Sequence, residues 1–264
     1  MSAAKRIAAM RIYNHNMQLI YRKQRCAVAL FCLIVFCILM LVSCDDHQPV
    51  DLDIHPGYIL CDDGRIIQDF LYDPSVHTPV AVVFAEKTDA HPILAVLLDE
   101  VNMVAFADTL SFDQKTSCSL TEYDGYANTV ALQTSFISRD SLVIKDNKAD
   151  PRNYYTSPLG LLAFNSHRFS QSDYVPSVQE LGLLYLSLDR VNAVIVKCGG
   201  TPVCQTPVGA GCWYWSSTEV DGNKLNQSWL FSMADGSIHK APKINCYNAR
   251  LIVEYNPVDV KVNN

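Results

Sequence analysis

The feature that most constrains this chain is a single well-signalled helix set among short apolar runs. Pro176 precedes Ser177, and Glu180 stands three residues after it. Ser-x-x-Glu is a capping box, in which hydroxyl and carboxylate each satisfy one free amide of the first turn. Leu181, Leu184, Tyr185, Leu188 and Val191 follow at helical spacing and give one apolar face. Gly199-Gly200 end the pattern, because glycine supplies a left-handed C-terminal cap. Ser187 or Asp189 is placed to interrupt the helix and cap a second one. Around this segment the apolar runs are too short for helices. Tyr58–Cys61, Pro79–Ala85, Ile93–Leu98 and Val101–Ala107 read as strands, the last two as a hairpin or meander about Asp99-Glu100. Asn128–Ser138 and Leu159–Phe169 read as short helices. Trp213–Ser217, Ser228–Met233, Ser237–Lys240 and Leu251–Tyr255 return to strand. Asp235-Gly236 reads as a two-residue hairpin loop with both residues at positive φ. Strands, one or two helices, then strands make an α+β fold.

The N-terminus has a different character. Lys5, Arg6, Arg11, Arg22, Lys23 and Arg25 make it basic, and it holds no acidic residue before Asp45. The apolar run Cys26–Val42 follows, then Ser43-Cys44 and Asp45-Asp46. Basic, apolar, then a small-residue boundary is the order of a secretory signal. Leu41–Cys44 resembles a bacterial lipobox, which implies that Cys44 carries lipid and that residues 1–43 are removed. A plain transmembrane anchor is the competing reading, and the Ser43-Cys44 placement favours lipid. Met10 and Met17 are alternative starts. Asp45-Asp46 resembles a surface-export signal of some lipoproteins and equally suits the start of a solvated linker. Residues 44–57 are polar, with two prolines, and read as a flexible tether to one domain over 58–264.

Removal of the leader changes the charge balance. Its six basic residues leave 15 Lys and Arg against 27 Asp and Glu, a net of −12. So acidic a surface argues against nucleic acid as a partner, since phosphates need cations. Six cysteines remain in the exported part: Cys61, Cys118, Cys198, Cys204, Cys212 and Cys246. An exported protein can oxidise them. Cys198, Cys204 and Cys212 lie close along the chain, so a local disulfide and packed thiols both fit. Six cysteines allow 15 pairings, and spacing does not choose among them.

The block from Tyr174-Val175-Pro176-Ser177 through Cys198-Gly199-Gly200 to Trp213-Tyr214-Trp215-Ser216-Ser217-Thr218-Glu219, Trp229–Met233, Asp235-Gly236 and Arg250 resembles the Lcl C-terminal-like domain family. The best-matched part is 174–255. Val175 stands where that family usually has Leu. The resemblance implies a C-type-lectin-like α+β fold, similar to formylglycine-generating-enzyme-like domains, with a small twisted sheet, one or two helices and long loops.

Catalytic motifs are scarce. There is no nucleophile elbow, zinc-protease helix or P-loop. Cys212 or Cys246 with His239 is the imaginable thiol–imidazole pair, set against a packed thiol or a disulfide. Asp221-Gly222-Asn223 offers calcium-type oxygens but reads as a turn. No cofactor is expected. Trp213 and Trp215 should share one face of their strand, with Tyr214 on the other. Binding candidates are Trp213, Tyr214, Asn223, Lys224, Asn226, Lys240, Asn245, Tyr247 and Asn248, because aromatics and turn amides suit glycan or protein ligands. Arg250 is expected to hold carboxylate or carbonyl groups beneath the loops. The sequence therefore suggests a lipid-anchored envelope protein, outer-membrane in the sense that its lipobox and acidic start imply, with non-catalytic binding of a glycan or protein ligand at the surface. The alternatives are an assembly subunit of a surface complex or fimbria, and a formylglycine-generating-enzyme-like enzyme.

Overall fold

The folded unit of the chain spans residues 53–264. The computed structural model describes residues 53–135, 137–138, 154–164, 167–168, 171–206 and 212–256. The leader, Cys44 and most of the tether lie outside these residues. No described helix is long and apolar enough to cross a membrane.

Two five-stranded sheets organise this unit. In the first, β14 (Ile252–Tyr255), β4 (Ile93–Leu97), β3 (Pro79–Ala85), β1 (Ile59–Cys61) and β2 (Ile66–Ile67) lie side by side, all antiparallel. The second has the order β12 (Ile238–Pro242), β11 (Gln227–Ser232), β10 (Trp213–Glu219), β13 (Cys246–Ala249), β5 (Val101–Ala105). It is mixed, because β10 and β13 run parallel where Tyr214 faces Asn248. Among the described residues, β6 (Ile137–Ser138) pairs with β7 (Tyr154–Tyr155), β8 (His167–Arg168) pairs with β9 (Gln171–Ser172), and four α-helices accompany the sheets: α1 (Gly125–Thr134), α2 (Pro158–Phe164), α3 (Val178–Leu186) and α4 (Leu188–Lys197). The α+β expectation is met at this level.

The continuous apolar runs of β3 and β4 follow from burial on both faces. Val82, Phe84, Leu94 and Val96 enter one core with Leu181, Leu184 and Ile195 of the helices and with Tyr214 and Phe231. Ala81, Val83, Ile93 and Ala95 enter the other with Leu132, Leu159, Trp215 and Leu230. Neighbours along β10 thus point to opposite cores, as strand alternation requires.

The capping box forms as the sequence indicates. Ser177 Oγ accepts from the Glu180 amide at 3.3 Å, and Glu180 Oε2 accepts from the Ser177 amide at 2.7 Å. The helix breaks at Ser187, whose hydroxyl turns back to the carbonyls of Leu183 and Leu184 rather than capping α4. Gly199 takes a positive φ of 77° just past α4.

Two local expectations are corrected. β4 and β5 form no hairpin but belong to different sheets. The chain leaves the first sheet at Leu98, whose carbonyl accepts from Thr201 N and Arg250 Nη2, and Glu100 bonds Tyr214 and Asn248 of the second sheet. The β11–β12 connection is longer than two residues. Ser232 N donates to Ser237 O and Gly236 N to Ser232 O, and of Asp235 and Gly236 only the glycine has positive φ.

Candidate functional site

The structure disperses the nine binding candidates. Tyr214 is fully buried. Its hydroxyl donates to Glu100 Oε1 and accepts from Cys204 N, at 2.9 Å for the latter. Burial first, then the bond to Glu100, pushes this phenol well above its ordinary pKa. Asn248 is also buried. It accepts from Met103 N at 3.2 Å and donates to Glu100 Oε2 at 3.3 Å. These two residues fasten β5 to the second sheet and present no polar group to a ligand.

Asn223, Lys224 and Asn226 lie in the turn between β10 and β11, where internal bonds hold them. Asn223 Nδ2 donates to Gln227 Oε1 at 2.8 Å, and Asn226 Nδ2 donates to Asn223 Oδ1 at 3.2 Å. Asn226 Oδ1 accepts from Ser111 N at 3.0 Å, and Lys224 pairs with Asp113 at 2.7 Å. Burial opposes ionisation of Asp113, but the ammonium groups of Lys224 and Lys115 outweigh it and hold that carboxyl low. The asparagines act here as side-chain clamps for the loop over 111–113, which is an alternative use of turn amides.

Four candidates are more open. Asn245 is exposed, and its amide N–H donates to the Pro242 carbonyl. Lys240 is exposed and lies 5.2 Å over the Trp229 ring, a cation–π arrangement. Trp213 and Tyr247 are half-buried. The Trp213 ring packs on exposed His239 at 5.8 Å, and Tyr247 meets buried Trp215 edge-on at 5.3 Å. Strand register places Trp213, His239 and Tyr247 on the same face of the second sheet. His239 thus packs tilted against Trp213, and no hydrogen bond joins it to Cys212 or Cys246 among the described residues.

The three cysteines close in sequence are separated in space into one and two. Cys198 caps α4 and packs at the first core. Burial and the neighbouring Cys61 raise its thiol to about 11, and burial raises Cys61 likewise. Cys204 and Cys212 instead donate to one acceptor, the Thr206 carbonyl, at 3.1 and 2.6 Å. No disulfide joins any of the six cysteines among the described residues.

A fimbrial protein from Bacteroides ovatus ATCC 8483 has a similar fold. The two share 16% identity with a TM-score of 0.50, over 76% of this chain and 49% of that one. The chain thus spans about half the length of that protein. No model of a known family matches the sequence, and no curated protein does.

Three polar clusters are buried among the described residues, and the sequence pointed only to the one around Arg250. Lys243 is fully buried and reaches Glu219, the Lys224 carbonyl, Gln114 Oε1 at 2.5 Å and Phe112 O at 3.2 Å. Burial drives each member of the Lys243–Glu219 pair toward neutrality, and the partner's charge opposes this. Arg250 is equally buried and donates to the carbonyls of Leu98 and Thr201 at 2.9 and 2.7 Å. This matches the structural role expected for it. Tyr174 Oη donates toward Glu180 and Glu254, both at 3.3 Å. Burial lifts Glu180 to about 7, against the pull of its bonds to Ser177. A lone Lys or Glu in sequence carries no sign of burial, and the unbroken polar run Ser216-Ser217-Thr218-Glu219 gives no alternation to show that it lies in the interior.

Proposed function

We propose that this chain is a lipid-anchored protein of the bacterial cell surface that acts as a structural subunit of a surface assembly. The fold it shares with a fimbrial protein over three quarters of its length carries the reading. The dispersal of the polar candidates supports it. Five of the nine are held in internal bonds, so these nine do not converge on one point as the polar groups that orient a small ligand do. On this reading Cys44 supplies the anchor, and two or three acyl chains suffice where one does not. We carry the Lcl C-terminal-like, C-type-lectin-like resemblance of residues 174–255 as part of the proposal. It concerns a display scaffold and assigns no catalytic step.

The test is in-cell cross-linking followed by purification through a tag, with wild type beside Cys44→Ala. Cross-linked neighbours of surface-fibre type, and lipid labelling lost in the variant, are the expected results. A monomer with no cross-linked neighbour in the envelope would overturn the assembly reading.

A second reading rests on Trp213, His239 and Tyr247. Half-exposed rings on one sheet face suit stacking against a sugar ring or an apolar side chain. A glycan array probed with the intact protein and with Trp213→Ala separates the two. Binding lost in that variant favours a lectin-type role, whereas silence from both, with the protein folded, leaves assembly.

A further inference from the structure

Cys204 and Cys212 are brought to one atom. Both sulfurs donate to the Thr206 carbonyl, at 3.1 and 2.6 Å, so they lie no farther apart than those two bonds laid end to end. Each half of the pair is anchored independently. Val203 is held by Asn192, which donates to its carbonyl and accepts from its amide, both at 2.8 Å. Cys204 N donates to Tyr214 Oη at 2.9 Å. Cys212 immediately precedes β10, and its carbonyl accepts from Met233 N at 3.0 Å. Two thiols that share one acceptor, each on backbone held by its own hydrogen bonds, meet the first demand of a disulfide, which is proximity.

We propose that Cys204 and Cys212 form a disulfide that ties the residues following α4 to the residue just before β10. This rests on the export reading of residues 1–44, because the envelope is where such bonds persist. Two S–H bonds break and one S–S bond forms. The two electrons and two protons pass to a protein or glutathione disulfide donor, which is reduced to its thiols by exchange. The bond replaces the shared acceptor at Thr206 with a covalent link and fixes one wall of the cleft formed by Tyr185, Leu188, Gln205 and Met233. Cys198 is left out, since it packs beside Cys61 on the far end of α4.

The full-length protein, purified in detergent, is equilibrated in glutathione buffers of graded oxidising strength, acid-quenched, alkylated and digested with trypsin. Cleavage after Lys197 and Lys224 leaves Cys198, Cys204 and Cys212 in one peptide. The expected peptide is lighter by two hydrogens, with fragmentation placing the link between Cys204 and Cys212. Reductant should lower the wild-type Tm by about 5–10 °C, as closing a short loop implies. It should leave Cys204→Ser, Cys212→Ser and the double variant unmoved. Full alkylation of both cysteines in the most oxidising buffer, with the protein folded, would overturn the pairing, as would a link from either to Cys198. The same mapping on acid-quenched cells tests the export reading separately. A pair that forms in the buffers but is reduced in cells counts against export and leaves the pairing intact.

Discussion

At the scale of single residues, the interior of this protein is unusually polar for positions that its sequence presents as ordinary. Lys243 and Glu219 have no exposed side-chain surface, and Glu219 Oε2 and Gln114 Nε2 beside them have no hydrogen-bond partner among the described residues. Such a pair adds little net stability, yet losing one partner strands the other charge in the core. Lys243→Met should therefore cost about 3–5 kcal/mol in urea unfolding. Adding Glu219→Gln should recover part of that loss, because the stranded carboxylate is then neutral. A double variant as unstable as the sum of the singles would show that the two groups are not coupled. Glu180 gives a pH signature with a definite sign. Its folded pKa of about 7 lies above the ordinary glutamate value of 4.5, so the unfolded chain releases its proton first. Its contribution is complete below about pH 4.5 and is lost as pH rises to about 7, by roughly 3 kcal/mol. Glu180→Gln keeps an acceptor for Ser177 N and should flatten stability across that window. An unchanged pH slope in the variant would assign the dependence to another group.

Elements show where local sequence rules succeed and where they stop. The α3 cap was legible because Ser177 and Glu180 act within one turn. The partner of that cap was not. Gly125 at the start of α1 lies so close that an added Cβ would sit 2.2 Å from Glu180 Oε2 and 2.9 Å from both Ser177 N and Tyr174 Cε2. Glycine is there for close approach, since its φ is not positive. Gly125→Ala should destabilise the protein by about 1–3 kcal/mol, as overpacking does, even though alanine is the better helix former. A gain in Tm would mean that α1 moves aside freely. Strand identity was likewise legible for β3, β4, β10 and β11, whose apolar or aromatic runs match their ranges closely. Strand pairing was not. Val101–Ala105 follows Ile93–Leu97 after a short polar break, the usual mark of a hairpin, but Glu100 is bonded to Tyr214 and Asn248, more than a hundred residues away. The candidate loops failed for the same reason. Asn223 and Asn226 look like solvated turn amides until the segment at 111–113 is folded over them. Composition cannot report a partner that distant.

For the molecule as a whole, the first sheet couples two cores that alternate along each strand. Val82 faces the core built on α3 and α4, whereas Val83 faces the core with Trp215, Leu132 and Leu159. Tyr214 and Trp215 repeat the division in the second sheet. A strand cannot lose its place in one core and keep it in the other, because a shift of register moves both sets of side chains. Residues 53–264 should therefore unfold in one cooperative transition. Val82→Ala and Val83→Ala each remove two buried methyl groups and should each cost about 2 kcal/mol. Both should shift the same transition by similar amounts, whether it is followed by the fluorescence of a Trp229→Phe background, which reports Trp213 and Trp215 of the second core, or by far-UV circular dichroism, which also reports α3 and α4. Separate midpoints for the two probes in either variant would mean that the cores melt independently. That outcome would favour a loosely joined pair of layers over the rigid subunit that a load-sharing surface assembly needs, so the measurement bears on the proposed role as well as on the fold.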